Sequence, residues 1–223
     1  SSAASDVYKR QDIEGIQLDL IKFPKSTNTL VKNDFFHRIF TIDLMIAFDT
    51  WLSGTVHEQV FFDVYFDKTG SQRKQDVGAL KGKTRINIGA GSFIDPDAIF
   101  MYRTKQKNEL CILEVANGLD SKRIIQQIRN VVFGAYQGYV TEKYIEDEKQ
   151  RVMPKMLIAF EHEGTMQAVL KRVINDEYLQ DFEDLNKYLF FTLQSETKTT
   201  WTEGWINMAV SYTHLTLPTS DLV

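Results

Sequence analysis

Residues 93 to 118 read FIDPDAIFMYRTKQKNELCILEVANG, and the fold turns on this stretch. Two short apolar runs, Ile94 to Tyr102 and Glu109 to Val115, flank a polar link from Lys105 to Asn108. Runs of this length bounded by polar residues are predicted to be strands, and the short link predicts an antiparallel hairpin. That hairpin brings Asp97, near the start of one strand, towards Glu114, at the end of the next, provided the register sets both side chains on one face. Two converging carboxylates, with water and phosphate oxygens, are the ligand set that Mg2+ needs. Such an ion activates water and stabilises charge during phosphodiester cleavage. The plainer alternative is that both acids only end strands at the solvent edge.

On the N-terminal side, Phe36, Ile39, Phe40, Leu44, Phe48 and Leu52 recur at helical spacing, so Lys32 to Ser53 is predicted to be a helix stopped by Gly54. Val56 to Asp67, rich in Val, Phe and Tyr, is predicted to be a strand, and Lys68 to Arg85 a loop or irregular hairpin. On the C-terminal side a second long helix is expected from Ser121 to Tyr144, capped by Asp120 or Ser121, with Ile124, Ile125, Ile128, Val131, Val132 and Ala135 as its apolar face. Pro154 to Phe160 then reads as a buried strand, Gly164 to Ile174 as a helix and Lys187 to Leu193 as a last strand before Trp201 and Trp205. This order predicts an α/β fold, a mixed central sheet flanked by helices.

The ends of the chain read differently. Ser1 to Gln11, SSAASDVYKRQ, back-translates into a transposase-type library adapter, and VSYTHLTLPT at Val210 to Thr219 matches the translated reverse complement of the same oligonucleotide. Residues 1–11 and 210–223 are therefore expected to be adapter-derived, which leaves 12–209 as the native part of a longer protein. Within it, 31–209 is expected to form one domain, with 12–30 ahead of it. The whole chain carries 26 Lys+Arg and 30 Asp+Glu; without Asp6, Lys9, Arg10 and Asp221 the counts are 24 and 28, so the net charge stays at -4. A broadly basic nucleic-acid binder is not what this balance describes, although local patches coexist with a negative total. The one cysteine, Cys111, sits in LCILEV and is expected to be buried. No apolar run approaches the roughly 20 residues of a membrane-spanning helix, and a cytoplasmic location without membrane contact is expected.

A helix, three strands carrying P-D and then E-x-x, and a further helix and strand resemble the core of the restriction-endonuclease-like superfamily, whose signature is P-D, a spacer and (D/E)-x-K. The resemblance implies Asp97 and Glu114 as catalytic and Mg2+-binding residues. It departs where the signature has lysine, because this chain has Ala116 there. Lys122, at the start of the following helix, would have to reach back as the catalytic lysine. A closer resemblance runs through most of the chain: Phe36-His37-Arg38, Trp51, a strand after Glu58, PDAIF, LEVANG, a helix, MLIAF, and YLFFTL leading to Trp205 are similar, in that order, to the replication-relaxation family of plasmid and integrative-element proteins. It implies DNA of a mobile element as the partner, alongside other replication or mobilisation proteins. It also implies an upstream winged-helix segment, of which QLDLIKF at Gln17 to Phe23 would be a remnant or a linker strand.

Other signals carry less. Gly78 to Thr84, GALKGKT, is one residue short of a phosphate-binding P-loop and is followed by an extended RINIG. His37, His57 and His162 are far apart, with no partner at zinc-ligand spacing, and His37 is expected to pack or hydrogen-bond within the fold. Lys81, Lys83 and Arg85, and Lys122, Arg123 and Arg129, form two basic groups suited to phosphate-backbone contact. Three readings follow: a DNA-associated replication or relaxation domain that does not cut, a Mg2+-dependent endonuclease using Asp97, Glu114 and Lys122 with Glu58 as an additional acid, and a protein-interaction scaffold. Ala116 favours the first.

Overall fold

The computed structural model describes residues 32–69, 81–197, 201–202 and 204–207. The adapter-like ends, the segment at Gln17 to Phe23 and the first residues of the P-loop-like stretch lie outside them. Helix α1 spans Lys32–Ser53 as the periodicity predicts, and strand β1 follows at Glu58–Val64. The described part of Lys68 to Arg85, expected as a loop or irregular hairpin, forms one short antiparallel ladder, and a second ladder follows beyond that stretch. Strand β2 (Lys68–Thr69) pairs with β3 (Lys81–Gly82), and β4 (Ile86–Gly89) with β5 (Ser92–Ile94). The predicted strand from Ile94 to Tyr102 is interrupted, because Pro96 has no N–H to give a ladder. Strand β5 therefore ends at Ile94, and β6 (Ala98–Arg103) begins after the bend. The predicted hairpin is present, with β7 (Asn108–Ala116) antiparallel to β6.

The second long helix breaks in two, α2 at Ser121–Tyr136 and α3 at Tyr139–Tyr144. Gly138 takes φ +81 between them, a left-handed conformation that ends one helix and starts the next. Asp120 caps α2 as expected, its side chain accepting from the Lys122 and Arg123 N–H groups. Strand β8 (Lys155–Phe160), helix α4 (Glu163–Ile174) and two single turns, α5 (Glu177–Gln180) and α6 (Leu185–Tyr188), lead to β9 (Leu189–Leu193). The last strand thus starts two residues later than predicted, because Lys187 N–H bonds back to the Asp184 carbonyl at 2.8 Å and closes a turn. Helix α7 (Gln194–Thr197) and strand β10 (Ile206–Asn207) complete the described chain.

The six-stranded sheet has the order β1-β6-β7-β8-β9-β10. It is mixed: β7, β8 and β9 run parallel to one another, β6 is antiparallel to both β1 and β7, and β10 is antiparallel to β9. Its two faces make two cores. Phe40, Leu44, Phe48 and Leu52 of α1 cover Ala98, Phe100, Cys111, Leu113 and Leu157 on one face. On the other, Ile124, Ile128 and Val132 of α2 and Val169, Leu170 and Val173 of α4 cover Ile99, Leu110, Ile112, Ile158 and Phe160. Burial on both faces explains why β7 and β8 read as unbroken apolar runs rather than alternating ones. Among the described residues, no helix is long and apolar enough to cross a membrane.

Candidate functional site

Asp97 stands at the sheet end where β7 and β8 finish. In the β6/β7 register Ala98 faces Leu113, so one step outward sets Asp97 opposite Glu114. Its main chain continues the β1/β6 ladder by one residue, its carbonyl accepting from the Tyr65 N–H at 3.0 Å. Its carboxylate is buried and doubly held. Oδ2 accepts from the Val115 N–H at 2.7 Å, and Oδ1 lies 2.7 Å from His37 Nε2, which donates to it. His37 enters from α1, and its Nδ1 is 3.2 Å from Asn117 Oδ1. Both ring nitrogens so face oxygens. A doubly protonated imidazole satisfies this as donor on both sides, and a neutral one does so once the Asn117 amide is turned over.

Glu114 is partly buried beside this arrangement. Burial, then the Asp97 carboxylate and a hydrogen bond shared with it, and then Asp95 all raise its pKa well above the ordinary glutamate value. Glu114 thus keeps its proton to higher pH than an exposed glutamate.

No family model matches the chain, and neither does a curated protein or a solved structure. The site has to be read from its own residues. Ala116, where the resemblance would expect a lysine, is buried in one core with Ile124 and Ile128. Lys122 is exposed at the start of α2, and among the described residues no hydrogen bond or ion pair joins it to Asp97 or Glu114. Glu58 lies at the far end of β1, opposite Arg103, with which it pairs at 3.6 Å. It is remote from the carboxylates and contributes no acid to them.

Mg2+ fits this donor set poorly. Each Asp97 oxygen already accepts one hydrogen bond, the raised pKa of Glu114 makes a cation compete with a proton there, and among the described residues no three His, Cys, Asp or Glu side chains converge as a cation cage.

The basic residues singled out in the sequence divide into paired and open ones. Lys83 is spent on Asp63 at 2.6 Å, and Arg85 grips Asp95 through Nε at 2.8 Å while its guanidinium lies 3.9 Å over the Phe93 ring. Arg129 pairs with buried Asp176 at 2.8 Å. Lys81, Lys122 and Arg123 are exposed. Two groups of residues escaped the sequence reading. Asn117 is visible there only as a polar residue two steps past the last predicted strand position, Val115. Lys171 and Arg172 follow an apolar helical stretch, and nothing local shows that they lie beside α2.

Proposed function

We propose that this chain is the nuclease-like, DNA-associated domain of a mobile-element replication or relaxation protein, acting in the cytoplasm, and that it holds DNA or partner replication proteins without cutting. One observation carries the non-cutting part: Asp97, the first acid of the P-D motif, is clamped between His37 Nε2 and the Val115 N–H at 2.7 Å each. A carboxylate so used is a structural tie between α1 and the sheet rather than an open ligand. Ala116 in the core removes the ammonium that would stabilise charge on a scissile phosphate. Support for a restriction-endonuclease-like core comes from the order α1, β1, β6, β7, α2, β8, which places P-D and E-x-x on adjacent antiparallel strands.

The endonuclease reading keeps one observation in its favour, the opposition of Asp97 and Glu114, of which Glu114 holds its proton more tightly than an exposed glutamate does. A divalent ion there would replace that proton, so its affinity would rise with pH. Calorimetric titration of Mn2+ into the full chain and into Asp97→Ala and Glu114→Ala variants, with nicking of supercoiled plasmid followed in parallel, separates the two. Our proposal expects no site-specific heat and no nicking. Binding lost in both variants, together with nicking by the unmodified chain, would establish the endonuclease.

A further inference from the structure

Helices α2 and α4 meet in an open groove whose lining gathers cations from both. Lys122 and Arg129 come from α2, and Lys171 and Arg172 from the last turn of α4. Arg172 Nε reaches across to Ser121 Oγ at 3.2 Å, which fixes the end of one helix over the start of the other. Two acids share the lining, Asp176 and Glu177. Asp176 is buried and taken by Arg129, so it cancels that arginine. Lys122, Lys171 and Arg172 remain, and among the described residues none of them pairs with a carboxylate. Elsewhere Lys83, Arg85, Arg103, Lys107, Arg151, Lys155 and Lys187 each sit in an ion pair, while exposed Lys81, Lys105, Arg123 and Lys149 do not line this groove.

Three unpaired cations against one free acid, on a chain of net charge -4, concentrate positive potential in one trough. Exposed Tyr178 lies at the same lining, with Arg129 5.9 Å from its ring centroid. A string of negative charges relieves the repulsion among Lys122, Lys171 and Arg172, and a planar arginine offers paired N–H groups to phosphate oxygens.

We infer that the α2/α4 groove binds the phosphodiester backbone of DNA, through Lys122, Lys171 and Arg172, without reading its sequence. The inference rests on the DNA-associated reading above and deepens it by placing the contact on the helical layer rather than at the carboxylate pair. Lys122 thereby serves as a backbone contact.

Fluorescence anisotropy of a labelled duplex, titrated with the full chain over a range of salt, tests this. The variant is Lys122→Glu with Lys171→Glu and Arg172→Glu; the control makes the same change in net charge at Lys105, Lys149 and Lys187, exposed residues outside the groove. Circular dichroism melts check that both are folded. The groove variant is expected to lose at least about tenfold in affinity and about 2.7 from the salt slope, roughly 0.9 per phosphate contact, while the control loses far less. Equal losses in the two would overturn the groove and leave DNA association standing. No duplex binding by the unmodified chain would overturn both. Full displacement of the duplex by inorganic triphosphate at low micromolar concentration would show that the groove takes a small phosphate, against this inference.

Discussion

His37 and Glu114 give Asp97 its character, one from each side. The imidazole donates to Oδ1 at 2.7 Å, and losing it would leave a buried carboxylate oxygen without a partner. His37→Ala is therefore expected to cost about 1–3 kcal/mol in urea unfolding at neutral pH, with His37→Gln recovering part of it by keeping a donor. A loss of only about 0.5 kcal/mol or less, on the scale of an ordinary surface change, would mean that the Val115 N–H holds Asp97 alone. Glu114 makes a pH-dependent contribution of opposite type to an ordinary paired carboxylate. Its folded pKa is raised, so the folded state binds the proton more tightly. The associated stability is fully present below the unfolded value of about 4.3 and is lost as pH rises through the higher folded value. Glu114→Gln, which mimics the protonated form, should flatten the fall in melting temperature as pH rises above the unfolded value of about 4.3. An unchanged slope would mean that Glu114 titrates alike folded and unfolded. At this scale the sequence showed the two acids and the missing lysine. It did not show His37 as their neighbour, since 60 residues separate it from Asp97 and only packing of α1 on the sheet brings them together.

Among the elements, the most instructive is the helix that broke. Residues 121–144 carry one apolar period, but Gly138 at φ +81 divides them, and Val140 is buried by the turn that results. Periodicity describes which residues face the core and is silent on where a glycine leaves the right-handed region. Gly138→Ala is expected to cost about 1–2 kcal/mol because a Cβ is disfavoured there. Gly164→Ala makes the contrasting test: this residue lies in the first turn of α4 with nothing within 4 Å of an added Cβ, so the change should be neutral or stabilise by about 0.4–1 kcal/mol. Similar losses at both would show that φ is not what distinguishes them. The β6/β7 hairpin, by contrast, was legible because its link is local. Thr104 and Lys107 close it through the Thr104 N–H to the Lys107 carbonyl at 2.9 Å.

For the whole molecule, the sheet order brings the ends of β7 and β8 to one edge of the structure, with Asp97 beside them and α1 behind. The α/β class and the mixed sheet were readable from the alternation of helical and extended runs. The two-sided core was readable from the unbroken apolar strands of β7 and β8. The convergence of Lys122 with Lys171 and Arg172 was not, because it depends on how α4 settles across α2 after a strand has intervened. What results is a mixed sheet between helical layers, with Asp97 engaged internally and unpaired positive charge on the α2/α4 side. Incubating supercoiled plasmid with the full chain and Mg2+, then running it on a native gel, probes that combination in one step. DNA retarded in proportion to protein yet recovered fully supercoiled after protein removal is the predicted result; nicked or linear product that disappears with Asp97→Ala would contradict it.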